Sequence, residues 1–207
     1  LSDRAELEIE ALVSKGIVCV PPEDIGRAKR IDDGRYRYIE RVKSSFPNQM
    51  RLDGLKVVID CANGAGYKAA PEVLWELGAE VIPVGVSPDG RNINLDCGST
   101  NPTVAAETVV AHGADVAICL DGDADRVLII DEFGRPIDGD QFLGMIGSRW
   151  FKNGNLVENT LVSTVMSNMG LEAFLKQEGI KLVRTSVGDR YVVERMRLNG
   201  FNLGGEK

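Results

Sequence analysis

The segment Asp121–Arg126 constrains this chain more than any other stretch of its sequence. It reads Asp-Gly-Asp-Ala-Asp-Arg and lies between two apolar runs, Val116–Leu120 and Val127–Ile130, which have the length and β-branched content of buried strands. Carboxylates and an arginine are costly to gather beside buried strands unless a cation binds the carboxylates and an anion binds the arginine. The segment therefore predicts a cation site that also attracts a phosphate group.

The spacing of the aspartates also predicts the shape of the backbone. In a straight strand alternate residues face the same side, but at ~3.3 Å per residue Asp121 and Asp125 would be about 13 Å apart. Because Mg2+ holds its oxygen ligands at ~2.1 Å, the backbone must coil around the ion. Gly122 and Ala124, which have little or no side chain, permit this curvature. We therefore expect a metal-binding loop at the end of a strand, with Asp123 between the two outer ligands.

Two other interpretations of this segment remain open. An EF-hand calcium loop needs carboxylates at its positions 1, 3, 5 and 12, and the chain supplies all of them: Asp121, Asp123, Asp125 and Glu132. This interpretation is disfavoured because position 6 needs glycine but holds Arg126, and because a strand-like run follows instead of a helix. A solvated acidic turn is the simpler alternative, but it does not explain a third aspartate and an arginine between two buried strands.

The composition limits the classes of protein to which the chain can belong. With 207 residues, of which 43% are hydrophobic and 27% charged, it is typical of one large or two modest globular domains. The net charge of −7 argues against a general binder of nucleic acid or of anionic membranes. No apolar run approaches the ~20 residues of a membrane span, and no signal peptide is visible. The first residue is not Met, and we expect both ends to be cut.

The cysteines and the histidine give no sign of a catalytic or zinc site. Cys61 and Cys119 fall inside apolar strand runs, and the sequence has no Cys-x-x-Cys pair. Buried free thiols in a reducing cytoplasm are therefore favoured over a zinc or disulfide framework. His112 lies in an Ala-His-Gly helix end and is expected to belong to a C-terminal cap.

Two helices, residues 1–15 with Ser2 as cap and residues 32–45, precede a β-α-β unit. The elements of that unit are the strand Leu55–Cys61, the turn Ala62–Gly66, the helix Tyr67–Leu77 closed by Gly78, and the strand Glu80–Val84. The turn matches the dinucleotide fingerprint G-x-G-x-x-[GA] from Gly64 to Ala69, but the second strand lacks the acidic residue that would bind a ribose. A tight strand-to-helix turn is the favoured interpretation, with backbone N–H groups near a phosphate or near the metal loop as the functional alternative.

The next segments extend this unit into a mixed sheet. The expected elements are the helix Thr103–His112 capped by Asn101 or Thr103, the strand Asp115–Leu120, and an antiparallel hairpin of Val127–Asp131 with Pro136-Ile137. Parallel and antiparallel pairing in one unit implies a mixed sheet with helices packed on it. The polar loop 87–102 is too long for a simple connector, and a functional loop and a surface excursion held by Asx turns are equally open.

A second α/β unit is predicted from residue 138 onward. Its elements are the helix Phe142–Phe151, the strand Thr160–Val165, the helix Gly170–Glu178, the strand Lys181–Thr185, the helix Arg190–Asn199 and the start of a strand at Phe201–Leu203. The aspartates before its first helix resemble a second acidic site, but N-capping by Asp140 explains them more simply. Polar loops at residues 185–190 and 204–207 follow strands, where ligands of open α/β sheets gather, although Asp189 is equally suited to be an N-cap. The predicted fold class is therefore α/β, with mixed sheets sandwiched between helices and repeated β-α units.

Five segments resemble motifs of the α-D-phosphohexomutase superfamily, and their order along the chain is the order of those motifs in the superfamily. Asp121–Arg126 resembles its D-G-D-x-D-R metal loop, Thr185–Arg190 with Tyr191-Val192 its third-domain phosphate and substrate loop, and Asn202–Glu206 its sugar-binding loop. Asp89–Asn94 and Cys97–Thr100 resemble the glucosamine branch of the superfamily. The resemblance spans nearly the whole chain.

The resemblance implies a domain division and a reaction. Residues 1–31 would be the end of domain one or a linker, residues 32–137 domain two with the metal loop, and residues 138–207 an incomplete domain three. The implied enzyme is a four-domain cytoplasmic isomerase that interconverts glucosamine 6-phosphate and glucosamine 1-phosphate for UDP-N-acetylglucosamine and cell-wall synthesis. A phosphoserine in domain one donates its phosphoryl group, and the sugar passes through a bisphosphate.

The resemblance also implies ligands and residue roles. Asp121, Asp123 and Asp125 would hold Mg2+, and Arg126 would neutralise phosphate or assist proton transfer. The implied substrate-binding residues are Gly188, Asp189 and Glu206. A phosphosugar is the implied partner, without nucleic acid or membrane, and a homodimer is one expectation for the full-length protein.

The chain also departs from the superfamily pattern. It has no serine loop of the Thr-Ser-Gly or Thr-Arg-Xaa-Ser-Gly kind, its sugar loop stops at Lys207, and Asn101 and Thr103 replace the usual His and Glu. We therefore expect the chain alone to be inactive. The alternatives are a phosphomannomutase or phosphoglucomutase, or a self-contained Mg2+-dependent phosphate-binding α/β module such as a phosphatase-like hydrolase.

Overall fold

The structure is a computed structural model that describes residues 2–206, which form two compact units, residues up to 35 and residues from 36 onward. The first unit contains helix α1 (Asp3–Ser14) and a 3-10 turn at Pro22–Asp24. The Ser2 hydroxyl oxygen accepts a hydrogen bond from the Ala5 amide at 3.3 Å, which confirms the predicted cap of this helix.

The second unit contains a five-stranded mixed sheet. Its strands are β1 (Lys56–Asp60), β2 (Glu80–Val84), β3 (Val116–Leu120), β4 (Val127–Asp131) and β5 (Pro136–Ile137). They lie in the order β2-β1-β3-β4-β5, with β1 parallel to β2 and β3 and the remaining pairs antiparallel. The predicted mixed sheet is confirmed.

Three helices accompany this sheet: α2 (Gly34–Lys43), α3 (Ala69–Glu76) and α4 (Thr103–His112). Alternate strand residues face opposite sides, so Val58 and Ala117 pack with α4 whereas Ile59 and Ile118 line the side that faces α2 and α3. Because β1 and β3 are parallel neighbours, with Asp60 opposite Cys119, their carboxyl ends lie side by side. The loops that follow these two strands therefore meet at one edge of the sheet.

A smaller parallel sheet follows. It pairs β6 (Thr160–Thr164) with β7 (Lys181–Thr185), and its helices are α5 (Gly139–Lys152), α6 (Met169–Glu178) and α7 (Asp189–Asn199). The predicted start of a strand at Phe201–Leu203 is wrong, since these residues form no strand and the chain makes only an isolated parallel bridge to β6, between Val162 and the following residue Gly204. No helix within residues 2–206 has the length and hydrophobicity needed to cross a membrane.

Two of the predicted helix caps on either side of the metal loop are wrong. Helix α4 begins after Pro102, which offers no side-chain cap, and the Thr103 hydroxyl donates to the Asn101 side-chain oxygen at 3.0 Å. The polar side chains at this helix start therefore bond to each other and not to the helix amides. Helix α5 is capped by Asp138 and not by Asp140, in a capping box in which the Gln141 side-chain oxygen accepts the Asp138 amide at 3.3 Å.

Asp140 and Asp189, which the sequence suggests as N-caps, lie inside the first turns of their helices. Asp140 is buried in the first turn of α5, where its Oδ2 accepts the amide of Asn168 at 2.8 Å and so joins α5 to the start of α6. Asp189 is the first residue of α7, and the N-cap position belongs to Gly188, whose φ of 126° is strained for other residues. Both helices begin earlier than the apolar periodicity predicts.

Candidate metal centre

The acidic loop lies where the sequence predicts it, directly after β3 and before β4. Ala124 has a left-handed φ of 62°, and its amide donates to the Asp121 carbonyl at 3.1 Å, which closes a tight turn. Carboxylate oxygens of Asp121, Asp123 and Asp125 consequently lie within 4.8 Å of one another. The coiled backbone has brought together three side chains that a straight strand would spread over about 13 Å.

Asp121 is the buried carboxylate of this cluster, and it binds the exposed side chain of Arg126. Asp121 is 2% exposed, and its Oδ1 accepts the Arg126 amide at 3.0 Å while its Oδ2 accepts the Arg126 Nε at 2.9 Å. Burial alone would raise the pKa of Asp121, but the backbone and side-chain hydrogen bonds from Arg126 outweigh it and hold the pKa below its usual value. Asp121 is therefore ionised, and the guanidinium of Arg126 is fixed while its side chain stays 64% exposed.

Asp123 and Asp125 form the exposed side. Partial desolvation, together with the negative charges of Asp123 and Asp121, raises the pKa of Asp125. The carboxylates repel one another, and a bound cation would remove that repulsion. The donors are hard oxygen atoms, two of the three groups face solvent, and the oxygen separations allow one ion between them. The residues present therefore fit a divalent cation of the Mg2+ or Ca2+ type.

The glycine-rich turn after β1 packs against the acidic loop. The Ala65 amide donates to the Gly122 carbonyl at 2.8 Å, and a Cβ at Gly64 would lie closer than 3.0 Å to the same carbonyl oxygen. Gly64 is therefore needed because two backbones approach each other here. The structure places this turn beside the acidic loop. The sequence had left open whether the backbone N–H groups of the turn lie near a phosphate or near this loop.

The long loop 87–102 also contacts the acidic loop. It is ordered by an Asx turn in which Asp89 Oδ1 accepts the amides of Arg91 at 2.7 Å and Asn92 at 2.9 Å. Ile93 covers Gly122, since a Cβ there would lie 2.7 Å from the Ile93 Cδ1. The loop is therefore an ordered excursion that forms one wall of the candidate site.

One residue of this region escaped the sequence analysis. Asp60 ends β1 and is fully buried, with its two oxygens bound to the amides of Ala62 and Gly98. The signal that could have revealed it is a lone carboxylate at the end of the otherwise apolar run Val57–Cys61.

The predicted substrate residues lie in the second sheet region. The Gly188 amide donates to Glu206 Oε1 at 3.1 Å, so the structure joins the two predicted substrate loops. Glu206 also lines a cleft of about 400 Å³ together with Val127, the residue after Arg126. Asp189 lies beside Gly188, and its own carboxylate accepts the amide of the next residue. A larger cleft of about 800 Å³ between α5 and α6 is lined by none of the predicted site residues.

The fold and the site together define an α/β protein with a strand-end acidic loop suited to a divalent cation. The sequence matches the family models of phosphoglucomutase/phosphomannomutase alpha/beta/alpha domain II over residues 36–134 and domain III over residues 138–207. The chain belongs to the phosphoglucomutase/phosphomannomutase family. The predicted superfamily is thereby confirmed.

Individual relatives agree with this assignment. Phosphoglucosamine mutases of Roseobacter denitrificans and of a Ruegeria species are 70% and 69% identical to the chain over 207 residues, covering 100% of it and 46% of each relative. The chain thus spans about half the length of these curated relatives.

Solved structures support the fold. A phosphoglucomutase/phosphomannomutase family protein from Burkholderia thailandensis has a TM-score of 0.77 at 20% identity, covering 99% of this chain and 43% of that one. An N-acetylglucosamine-phosphate mutase has a TM-score of 0.60 at 18% identity, covering 86% and 42%. At these identities the likeness concerns the fold alone, and it confirms the predicted fold class.

Proposed function

We propose that the chain is part of a Mg2+-dependent phosphosugar mutase that interconverts glucosamine 6-phosphate and glucosamine 1-phosphate. The observation that carries the proposal is the convergence of the three aspartate carboxylates within 4.8 Å beside a fixed arginine. The sugar is supported by the name phosphoglucosamine mutase that relatives about 70% identical over the whole chain bear. The acidic net charge of −7 supports a small phosphosugar and not a nucleic acid as partner.

The acidic loop has two tasks in this proposal. Asp121, Asp123 and Asp125 hold the ion, and bound Mg2+ supplies positive charge that stabilises the phosphoryl group in transfer. Arg126 is held by Asp121, so its guanidinium is pre-oriented to bind phosphate oxygens through two parallel hydrogen bonds. Phosphoryl transfer needs mainly alignment and charge neutralisation, and these residues provide both.

The second sheet region would bind the sugar. Glu206 accepts the Gly188 amide, which leaves carboxylate lone pairs for sugar hydroxyls, and Asp189 lies at the start of α7 beside it. We also propose the division into a segment 1–31, domain two at 32–137 and an incomplete domain three at 138–207, which the ranges of the two family models support. The phosphoserine donor belongs to a part of the full-length enzyme outside this chain, which we place in the cytoplasm.

The test uses the full-length protein that contains this chain. Conversion of glucosamine 6-phosphate is measured with and without Mg2+ for wild type, Asp123→Asn and Asp125→Asn. Loss of a ligand's hydrogen-bond partner lowers metal affinity roughly 10- to 100-fold, and we expect at least this loss of Mg2+ affinity here because a proposed ligand is changed, with a matching loss of rate at limiting Mg2+. Glu132→Gln is the matched control, because Glu132 is an acidic turn residue outside the cluster.

The outcomes separate the proposal from its alternatives. A wild-type rate that does not change when divalent ions are removed overturns the proposal. Loss of Ca2+ binding in Glu132→Gln would support the EF-hand interpretation instead. Parallel assays with glucose and mannose phosphates decide between this enzyme and a phosphoglucomutase or phosphomannomutase.

A further inference from the structure

Asp60 is a fully buried carboxylate that the proposed reaction does not use. Its Oδ1 accepts the Ala62 amide at 2.9 Å and its Oδ2 accepts the Gly98 amide at 2.7 Å. A buried carboxylate is costly unless hydrogen bonds satisfy it, and here the donors are two backbone amides from different loops. Asp60 therefore ties the turn after β1 to the long loop 87–102.

The turn held by Asp60 is strained. Ala62 and Asn63 have left-handed φ values of 53° and 49°, an arrangement that costs free energy for residues other than glycine. Gly85 allows the turn to pack, because a Cβ there would lie 2.7 Å from Asp60 Oδ1 and 2.9 Å from the Ala62 amide. Such a conformation persists only where surrounding contacts fix it, and the carboxylate of Asp60 supplies one of them.

Each of the two tied loops also holds the acidic loop. From the long loop, the Ser99 amide donates to the Leu120 carbonyl at 2.9 Å, one residue before the first aspartate of the cluster. From the turn, the Ala65 amide donates to the Gly122 carbonyl at 2.8 Å. The Asn94 amide donates to the Ala62 carbonyl at 2.9 Å and joins the two loops a second time. The backbone on both sides of Asp121 is thus fixed by loops that Asp60 connects.

We infer that Asp60 is a positioning residue for the cation site: it holds the two loops that fix the Leu120–Gly122 backbone and so sets the spacing of the three carboxylates. The inference rests on the proposed function of those carboxylates as cation ligands. It extends that function to a residue outside the group of three candidate ligands. Loss of Asp60 should lower the affinity for the cation, whereas a destabilising change at another buried position of the same strand should leave that affinity unchanged.

The experiment measures Mn2+ binding to the full-length protein by the loss of the free-ion signal in electron paramagnetic resonance. Asp60→Asn keeps the size of the side chain but replaces one acceptor oxygen with an NH2 donor. One loop amide N–H then faces this NH2 group and loses its acceptor. We expect the dissociation constant for Mn2+ to rise roughly 10- to 100-fold, the range seen when partners of metal ligands are lost. Thermal unfolding of the same samples gives the stability of each variant.

Val58→Ala is the matched control. Val58 lies two residues earlier on the same strand and is fully buried. Its apolar side chain packs with α4 and cannot form hydrogen bonds to the loops. This variant should have a lower melting temperature because it creates a cavity, while its Mn2+ affinity stays at the wild-type value. A purely structural role of Asp60 predicts the same behaviour for Asp60→Asn.

Wild-type Mn2+ affinity in folded Asp60→Asn overturns the inference and leaves the proposed function intact. Failure of the wild-type protein to bind Mn2+ would instead contradict the proposed function. If Asp60→Asn does not fold, Asp60→Ser decides, because the serine hydroxyl oxygen can accept one backbone amide but leaves no second oxygen for the other loop. A raised Mn2+ dissociation constant in that variant supports the inference, and an unchanged one overturns it.

Discussion

Burial sets the reactivity of the individual cysteines. Burial first, and the charge of Asp60 second, raise the pKa of Cys61 and of Cys119 to about 12, and burial raises the pKa of Cys97. Cys19 is exposed. At mildly alkaline pH a thiol with such a pKa is ionised in only on the order of one molecule in ten thousand, and only the thiolate reacts.

We therefore predict that a thiol reagent modifies Cys19 quickly in the native protein and leaves Cys61, Cys97 and Cys119 unmodified. Peptide mapping by mass spectrometry identifies the labelled positions, and labelling in concentrated guanidinium provides the control in which all of these thiols react. Modification of Cys61 or Cys119 at the rate of Cys19 would contradict the buried positions of these strands.

The acidic cluster gives opposite pH effects for two of its aspartates. The pKa of Asp121 is lowered, so its stabilising contribution is present above the unfolded-state pKa and is lost as pH falls through the folded-state pKa. The pKa of Asp125 is raised, so its ionised form destabilises the metal-free fold increasingly as pH rises from the unfolded-state pKa through the folded-state pKa. At neutral pH the first carboxylate stabilises the metal-free protein and the second destabilises it.

Asp125→Asn should therefore raise the melting temperature of the metal-free protein at neutral pH, whereas Asp121→Asn should lower it. Millimolar Mg2+ should stabilise the wild type and have less effect on either variant, because a ligand stabilises only the state that binds it. Thermal unfolding of the three proteins, each with a chelator and with Mg2+, gives the six melting temperatures that test these expectations. A lower melting temperature of metal-free Asp125→Asn would show that repulsion among the carboxylates does not govern this loop.

The cluster of candidate metal ligands could be predicted from the sequence and the contacts of Asp60 could not, for a physical reason. Asp121, Asp123 and Asp125 lie within five residues, so the chemistry of a shared ion is written in their local spacing. The role of Asp60 depends on its contact with Gly98, which lies 38 residues away along the chain. The parallel pairing of β1 with β2, in which Asp60 lies opposite Val84, brings the loop that follows β2 to the end of β1.

At the scale of structural elements, the approach of two backbones makes Gly64 irreplaceable. Gly64→Ala would push the turn after β1 away from the Gly122 carbonyl, because a Cβ has no room there. We predict a loss of about 1–3 kcal/mol in the free energy of unfolding, as for other overpacked sites, and weaker Mg2+ binding. Gly26→Ala is the control, since a Cβ at Gly26 meets no atom within 4 Å.

Denaturant unfolding and Mg2+ titration of the two glycine variants test this prediction. Gly26→Ala should lie within about 0.5 kcal/mol of the wild type, which is the usual range for surface changes. Equal stability of the two variants would mean that the turn and the acidic loop move independently. In that case the contact between the turn and the Gly122 carbonyl would not stabilise the cation site.

The elements themselves differ in how far the sequence determines them. The strands Glu80–Val84 and Lys181–Thr185 have the predicted bounds because each begins two residues after a glycine that ends a helix, Gly78 or Gly179, and is followed by a loop. The start of α5 was predicted too late because both Asp138 and Asp140 can cap a helix, and only the tertiary contact of Asp140 with Asn168 separates them. Local patterns thus define elements, and long-range contacts define their ends.

At the scale of the whole molecule, the mixed sheet explains why the site forms at one place. The parallel neighbours β1 and β3 end at the same edge, and ligand sites of α/β proteins gather beyond such strand ends. The long loop follows β2, the other parallel neighbour of β1, so the acidic loop, the glycine turn and the long loop converge at one edge of the sheet. All three candidate cation ligands lie in a loop between two strands of one sheet, whereas the predicted sugar-binding residues lie near the second.

This separation predicts that the 207-residue chain alone binds Mn2+ but does not interconvert phosphosugars. The ligands and the loops that hold them all lie between residues 60 and 126, so metal binding should match that of the full-length protein. Turnover should be absent because the sequence lacks a serine loop of the superfamily's kind to donate the phosphoryl group. Phosphorus NMR of glucosamine 6-phosphate measures turnover, and circular dichroism verifies that the chain is folded.

The full-length protein is the positive control in both measurements. Turnover by the folded 207-residue chain would contradict the prediction and require a phosphoryl donor among its own residues. Absence of Mn2+ binding in the folded chain would show that other parts of the enzyme complete the cation site. Ion binding without turnover is the expected outcome, and it would separate the proposed cation-holding role of Asp121, Asp123 and Asp125 from the supply of the transferred phosphoryl group.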